Sequence, residues 1–251
     1  MVPFPESRNG ERKESMVFFI TGASRGLGLC LTEDALRRGH EVIAAQRKPQ
    51  GDLEKLRQEF PDRLRIVELD VTSEEQAAQL ASSLEGISID VLINNAGVLL
   101  EPKFPQGDVI TGMDLQMLRT TLECNAVGPA VVLKYFAPLV YRSKQPCILN
   151  ISSEAGHLEP NGWNYIAYSM SKHAENMYTQ KIRNYLAHTP GRENVRIFMV
   201  HPGRMNTKMG VENAQIEPQE AATGILDIAE GKIDPHLDIP FIDYRGSAMP
   251  G

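Results

Sequence analysis

The 251-residue chain has few cysteines, no long apolar run and no excess of basic residues, and each absence excludes a class of protein. Its three cysteines form no CxxC pair, and its six histidines show no HExxH spacing, which argues against a disulfide framework and a metal site. No apolar stretch approaches the ~20 residues that span a bilayer. The net charge of −6 argues against a nucleic-acid surface and against attraction to anionic lipid. We therefore expect a cytoplasmic protein without nucleic-acid or membrane partners.

Length and composition predict one folded domain preceded by a short leader. Residues 1–15 contain two prolines and several charges without periodicity, so we expect them to be disordered. The pattern of a folded domain begins at Met16, which is a candidate functional start. Residues 16–251 contain no repeat and no low-complexity linker, and 42% hydrophobic with 23% charged residues is usual for a globular domain.

Strand signals alternate with helix signals along the chain. Short apolar runs, several of them β-branched, indicate parallel strands buried on both faces. The runs are Met16–Thr21, His40–Gln46, Leu64–Leu69, Asp90–Asn94, Cys147–Ser152, Val195–Val200 and Leu237–Ile242. The alternation predicts an α/β fold with a doubly wound, seven-stranded parallel sheet and helices on both faces. Ligands of such sheets bind beyond the carboxyl ends of the strands.

Helix ends carry recognisable signals. Ser73-Glu-Glu-Gln76 has the pattern of a capping box, Asp114 can cap a long helix, and Pro218 suits a first helical turn. The predicted helices are Leu27–Arg38, Ser73–Leu84, Asp114–Pro138, Trp163–Ala187 and Pro218–Ala229.

The first predicted strand runs directly into Thr21-Gly-Ala-Ser-Arg-Gly-Leu-Gly28 and then a helix. Glycines allow a tight turn and let backbone N–H groups approach a pyrophosphate at the helix N-terminus. The spacing is GxxxGxG, which differs from the GxGxxG fingerprint. A glycine-rich turn without a ligand is the alternative, and the position after the first strand of an α/β chain disfavours it.

The end of the second strand indicates which dinucleotide binds. A carboxylate there would bind the ribose 2′-OH of NAD, whereas arginine accommodates the 2′-phosphate of NADP. Gln46-Arg47-Lys48 contains no acid, and Arg25 lies in the glycine turn, so the sequence favours NADP. Solvated surface arginines, with NAD as the cofactor, are the alternative.

Polar residues also end the third and fourth strands. Asp70-Val71 follows the third, where the carboxylate can accept a hydrogen bond from the adenine amino group. Asn94-Asn95-Ala96-Gly97 ends the fourth, where Asn95 and Gly97 would let the chain run close beneath the ribose. A turn that satisfies its own backbone is the alternative for the two asparagines.

Tyr168 and Lys172 are four residues apart on a predicted helix and therefore share one face. A free tyrosine titrates near pH ~10, and a neighbouring ammonium stabilises its phenolate, which suits the phenol to proton transfer. Asn125 lies inside the predicted long helix, where a buried functional role is favoured over an exposed one. Ser153 ends the fifth strand as a neutral donor for a carbonyl oxygen; a nucleophilic serine is the alternative, but GxSxG is absent.

The chain resembles the short-chain dehydrogenase/reductase family over about Met16 to Tyr244. The resemblance is carried by four motifs in the family's order: TGxxxGxG, NNAG, the Asn125–Ser153–Tyr168–Lys172 set and Pro202-Gly203-x-x-x-Thr207. The resemblance implies a single-domain Rossmann fold and hydride transfer with NADP(H). It implies that Tyr168 is the general acid in reduction and the base in oxidation. Lys172 would support the phenol and hold the nicotinamide ribose, Ser153 would position the carbonyl, and Asn125 would support a proton-relaying water.

The residues expected to bind the cofactor come from every one of these motifs, and the last four would flank the nicotinamide carboxamide. They are Gly22, Ser24, Arg25, Gly26, Leu27, Gly28, Arg47, Asp70, Val71, Asn95, Ala96, Gly97, Tyr168, Lys172, Pro202, Gly203, Met205 and Thr207.

The chain departs from the family pattern near the substrate. Ser153 and Tyr168 are two residues further apart than is usual in the family, so the loop His157–Asn164 is enlarged. Trp163 or Tyr165 is therefore a candidate to line the substrate pocket. The segment Lys208–Glu217 is short, so the family's substrate-covering elements are largely missing. With the ending Asp243-Tyr-Arg-Gly246, this resembles the C-factor/sniffer-like carbonyl reductases.

Two functions are compatible with these motifs. The favoured one is NADPH-dependent reduction of small or hydrophobic aldehydes and ketones. The alternative is an NAD(P)-binding, C-factor-like signalling protein that uses the site as a sensor. The resemblance also implies a homodimer or homotetramer formed through the helices Asp114–Pro138 and Trp163–Ala187.

Overall fold

The computed structural model describes residues 15–49, 51–102, 107–158, 162–207 and 214–250. The predicted leader, residues 1–15, lies outside these ranges except for Ser15. No helix in the described part of the chain is long and apolar enough to cross a membrane.

The described strands form one seven-stranded sheet in the order β3-β2-β1-β4-β5-β6-β7, and every pairing is parallel. They are β1 (Val17–Thr21), β2 (Glu41–Gln46), β3 (Leu64–Glu68), β4 (Val91–Asn94), β5 (Cys147–Ile151), β6 (Arg196–His201) and β7 (Phe241–Asp243). Six predicted strands are correct within about one residue at each end. The seventh was predicted from Leu237, and it starts instead at Phe241 because Pro240 cannot donate to a neighbouring strand.

The helices are α1 (Gly26–Arg37), α2 (Gly51–Glu59), α3 (Glu74–Ser83), α4 (Leu115–Leu122), α5 (Gly128–Val140), α6 (Ile166–Ala187) and α7 (Pro218–Ala229). Asp114 Oδ1 accepts hydrogen bonds from two N–H groups in the first turn of α4, which confirms it as the cap. Ser73 Oγ accepts from the N–H of Gln76, as a capping box requires. The second contact of a capping box, from the Gln76 side chain to the N–H of Ser73, was wrongly predicted, because Gln76 Oε1 accepts instead from the N–H of Asp70.

Two helix predictions need correction. The helix predicted over Asp114–Pro138 is interrupted by a π-helical turn, Glu123–Val127, in which the N–H of Gly128 donates to the carbonyl of Glu123. The helix predicted from Trp163 starts at Ile166, because Tyr165 takes a left-handed conformation with φ of 56°. A residue in that conformation cannot continue a right-handed helix towards the N-terminus.

Both faces of the sheet are covered, which confirms the doubly wound α/β fold. Along β1, Phe18 and Ile20 pack with apolar residues of α1, α2 and α7. Phe19 points the other way and packs with α3, α5 and α6. Strands buried on both faces require apolar side chains at consecutive positions, as the sequence shows. The carboxyl ends of the strands are therefore the place where polar residues can meet a ligand.

Candidate active site

The glycine-rich turn between β1 and α1 is fixed to the end of β4. Thr21 Oγ1 accepts hydrogen bonds from the N–H groups of Asn95 (2.9 Å) and Ala96 (3.0 Å). Asn95 Nδ2 donates to the carbonyl oxygens of Thr21 (2.9 Å) and Gly22 (3.1 Å). A Cβ atom on Gly28 would lie 2.2 Å from the Gly22 oxygen, so only glycine fits. Asn95, predicted to lie near the ribose, thus holds the turn in place.

The N-terminus of α1 fits an anionic group. Arg25 occupies the N-cap position without a capping side-chain hydrogen bond, and the first turn contains no acidic residue. Gly26 has a φ of +52°, and a Cβ atom there would meet only Thr207 Cγ2, at 3.9 Å, among the described residues. Exposed N–H groups and the positive end of a helix dipole favour a phosphate at such a position. The turn therefore has space for an anionic group, and binding of a pyrophosphate by these residues stays a prediction.

Charged residues lie at the ends of the two neighbouring strands. Arg47 directly follows β2, and both it and Arg25 are exposed. Asp70 follows β3, where its Oδ1 accepts from the N–H (3.0 Å) and hydroxyl (2.7 Å) of Thr72. Burial raises the pKa of the Cys124 thiol, and the charges of Lys172, Asp70 and Arg47 also act on it.

Asn125 is fully buried in the π-helical turn, as predicted, and its functional role stays a prediction. Its Nδ2 donates to the carbonyl of Val98 (2.8 Å) and to Ser171 Oγ (3.0 Å), and its Oδ1 accepts from the N–H of Val98 (2.8 Å). A Cβ atom on Gly97 would lie 3.3 Å from Asn125 Oδ1 and 3.9 Å from Lys172 Nζ. Asn125 thus joins the chain after β4 to α6, next to the lysine.

Lys172 is buried beneath the candidate site. Its Nζ donates to the carbonyl of Ile151 at the end of β5 (2.6 Å) and to Glu175 Oε2 (2.9 Å). Burial opposes the lysine charge, but the negative charges of Glu175 and of the Tyr168 phenolate outweigh it, so the pKa of Lys172 is raised. Tyr168 and Lys172 are four residues apart within α6, so they lie on the same face of that helix. Ser153 lies half-buried after β5.

The N-terminus of α6 is capped by a residue that sequence reasoning missed. Glu101 Oε1 accepts from the N–H of Ala167 (2.9 Å), and Oε2 accepts from the N–H of Tyr168 (2.8 Å). No local pattern could reveal this contact, because Glu101 lies 66 residues before Ala167. Glu175 was also missed, although its spacing of three residues from Lys172 is a signal for a helical ion pair.

The predicted nicotinamide segment follows β6 and is fixed to the chain before α7. Met205 forms a parallel bridge with Ile216, and the N–H of Asn206 donates to the Ile216 carbonyl (3.0 Å). Gly203 has a φ of +83°, and a Cβ atom there would lie 2.7 Å from Ile216 Cδ1. Most of the short segment between them, residues 208–213, lies outside the described residues. Trp163 is 66% exposed, and its role at the pocket stays a prediction.

The sequence model of the short chain dehydrogenase family matches residues 16–218. The chain belongs to this family. It is 31% identical to a farnesol dehydrogenase of Aedes aegypti over 227 residues, 88% of this chain and 89% of the relative. This confirms the family resemblance predicted from the motifs.

Solved structures of the family include carbonyl reductases. An NADPH-bound carbonyl reductase from chicken fatty liver is 25% identical, with a TM-score of 0.80 over 94% of this chain and 99% of that one. Carbonyl reductase Sniffer of D. melanogaster is 26% identical, with a TM-score of 0.79 over 93% of this chain and 98% of that one. The predicted likeness to carbonyl reductases is therefore confirmed.

Proposed function

We propose that this protein is an NADPH-dependent oxidoreductase that reduces the carbonyl group of small or hydrophobic aldehydes and ketones. The observation that carries the proposal is the position of Tyr168 and Lys172 on one side of α6, with Lys172 hydrogen-bonded to the end of β5. Family membership and the NADPH-bound carbonyl reductase among similar structures support the same reaction class.

The bound NADPH supplies the hydride, and the residues of this chain bind and orient the reactants and move the proton. The turn Gly22–Gly28 and the N-terminus of α1 would hold the pyrophosphate, and Arg25 and Arg47 would contact the 2′-phosphate. Ser153 Oγ would donate to the substrate carbonyl oxygen.

Tyr168 would give its proton to the substrate oxygen as negative charge develops there. The Lys172 ammonium would stabilise the phenolate left behind and donate to the nicotinamide ribose. In the oxidative direction the same phenolate would take the proton from an alcohol. Asn125 would keep α6 and the chain after β4 at a fixed distance, so that a proton-relaying water could reach Lys172.

A purely sensory role is not favoured. A sensor needs the glycine turn and the phosphate contacts, but it has no use for a phenol and an ammonium held together on one helix. The similar proteins include a farnesol dehydrogenase and two carbonyl reductases, whose names describe enzymes.

The test compares wild type with Tyr168→Phe, assayed by NADPH oxidation with a panel of aldehydes and ketones. Removing the proton donor should lower kcat by at least about 100-fold, while NADPH binding, followed by fluorescence, changes little. Tyr185→Phe is the matched control, because Tyr185 is an exposed tyrosine on the same helix, and it should retain full activity. Equal turnover by the Tyr168 variant, or no turnover of any carbonyl by wild type, would contradict the proposal.

A further inference from the structure

A buried ion pair lies directly beneath the candidate site. The side chains of Lys172 and Glu175 are only 6% and 1% exposed, and Nζ lies 2.9 Å from Oε2. Nζ also donates to the carbonyl of Ile151 (2.6 Å). An ammonium has three N–H donors. The part of the chain that the structure describes therefore engages two of them, which leaves the third for a cofactor.

The carboxylate of Glu175 changes the electrostatics of the site. Burying an ion pair gives little net stability compared with apolar side chains of similar size, so stability alone is a weak reason for it. Its clear consequence is electrical: the pair has no net charge when both groups are ionised and a charge of +1 when Glu175 is protonated. Among the described residues, Tyr168 on α6 and Cys124 on the π-helical turn also interact electrostatically with the pair.

We propose that Glu175 is a positioning residue that holds the Lys172 ammonium against the end of β5 and, by gaining or losing one proton, sets how strongly that ammonium acts on Tyr168 and on the cofactor. This inference rests on the proposed function, since it assigns a regulator to the lysine of that site. The contacts require no movement of the backbone, because both side chains belong to one face of the same helix.

Glu175 changes its protonation state near neutral pH. Burial raises the pKa of Glu175 to about 7, although the charge of Lys172 acts to lower it. Below this pH the carboxyl group is neutral, and the full charge of Lys172 acts on its surroundings. Above it the carboxylate neutralises the ammonium and retains one of its donors. NADPH affinity should therefore weaken as the pH rises through this range.

The experiment measures the dissociation constant of NADPH by fluorescence across this pH range for wild type and Glu175→Gln. Glutamine keeps an acceptor of similar shape but cannot ionise. The two constants should agree at the acid end, and the variant should bind about three- to tenfold more tightly at the alkaline end. Parallel pH profiles for the two proteins would overturn the proposal.

Further variants separate charge from structure. Glu85→Gln is the control, since Glu85 is exposed and precedes β4 at the amino-terminal end of the strands, away from the site, and its profile should follow wild type. Glu175→Asp restores the titrating group and should restore the pH dependence. Glu175→Leu also removes the charge. If circular dichroism shows that Glu175→Gln does not fold, Glu175→Leu takes its place in the comparison with wild type.

The readout distinguishes this inference from the proposed function. NADPH binding does not require turnover, so it tests Glu175 even if wild type reduces no carbonyl compound. Where turnover is measured, the alkaline decline of kcat/KM for reduction should move to lower pH in Glu175→Gln, because an uncompensated ammonium favours the phenolate of Tyr168. An unchanged midpoint together with parallel binding profiles would leave Glu175 a purely structural residue.

Discussion

Single polar residues in this site hold the backbone in place. Asn95 and Thr21 form four hydrogen bonds between the glycine turn and the chain after β4. The alternative interpretation of Asn95 was a turn that satisfies its own backbone. The Asn95 side chain does bond the backbone, but the carbonyl groups it reaches belong to the end of β1 and the turn after it. Parallel strand ends that lie side by side make such cross-strand contacts available, and sequence spacing does not show them.

At the same scale, Arg47 should decide the choice between NADPH and NADH. Arg47→Asp replaces a phosphate donor with a carboxylate that repels phosphate, so it should raise the dissociation constant of NADPH at least about tenfold more than that of NADH. Fluorescence titration with both cofactors measures this ratio.

Arg142→Asp makes the same charge change at an exposed residue that precedes β5, at the amino-terminal end of the strands, and should leave the ratio unchanged. Equal weakening of both cofactors by Arg47→Asp would remove the argument for a 2′-phosphate contact.

Two elements are shaped by contacts that come from outside them. The π-helical turn Glu123–Val127 places Asn125 where its amide can bond both Val98 and Ser171. Asparagine competes with the helical backbone, which is a reason to expect irregularity there but not its form. At α6, Tyr165 leaves the first turn without a cap of its own, and the carboxylate of Glu101 replaces it.

Glu101→Ala should therefore loosen the beginning of α6, where Tyr168 lies. Losing a helix cap costs about 0.5–2 kcal/mol, so the melting temperature should fall by a few degrees, and kcat should fall because the phenol is less well positioned. Glu101→Gln keeps part of the cap and should have a smaller effect on both quantities.

Thermal unfolding and steady-state kinetics measure these effects, with Glu193→Ala as the control because Glu193 is exposed and precedes β6. A Glu101→Ala protein with unchanged stability and unchanged kcat would show that the contact contributes nothing.

The whole molecule exposes apolar side chains on the helices through which association is expected. Leu115 on α4 is 53% exposed, and Met170 and Met177 on α6 are 46% and 52% exposed. These side chains would be covered if the helices packed against a second chain. Association through these helices stays a prediction that rests on family resemblance.

Light scattering should give two or four times the mass of one chain. Met177→Glu places a charge in the expected interface and should shift the protein towards the monomer. Ile239→Glu is the matched control, because Ile239 is 49% exposed outside these helices and should leave the mass unchanged. A monomeric wild-type protein would contradict this prediction.

The sequence alone was sufficient to predict the parallel sheet and the positions of the main motifs. Consecutive apolar residues in each strand permit only a sheet covered on both faces, and a glycine turn after the first strand requires a close approach of backbone, as at Gly28. The spacing of Tyr168 and Lys172 likewise placed them on one face, because helical periodicity is local. The start of α6 and the break at Asn125 could not be predicted, since each depends on a contact with a distant loop.

The tertiary structure decided which groups surround the lysine. The Glu101 carboxylate, in the segment after β4, accepts from the N–H of Tyr168, and the carbonyl of Ile151 at the end of β5 accepts from Lys172. Glu175 has a suggestive spacing, but only burial turns it from an ordinary helical ion pair into a carboxyl group that titrates near neutral pH. Local sequence sets torsion angles and faces, whereas burial and long-range hydrogen bonds arise only when the elements pack together.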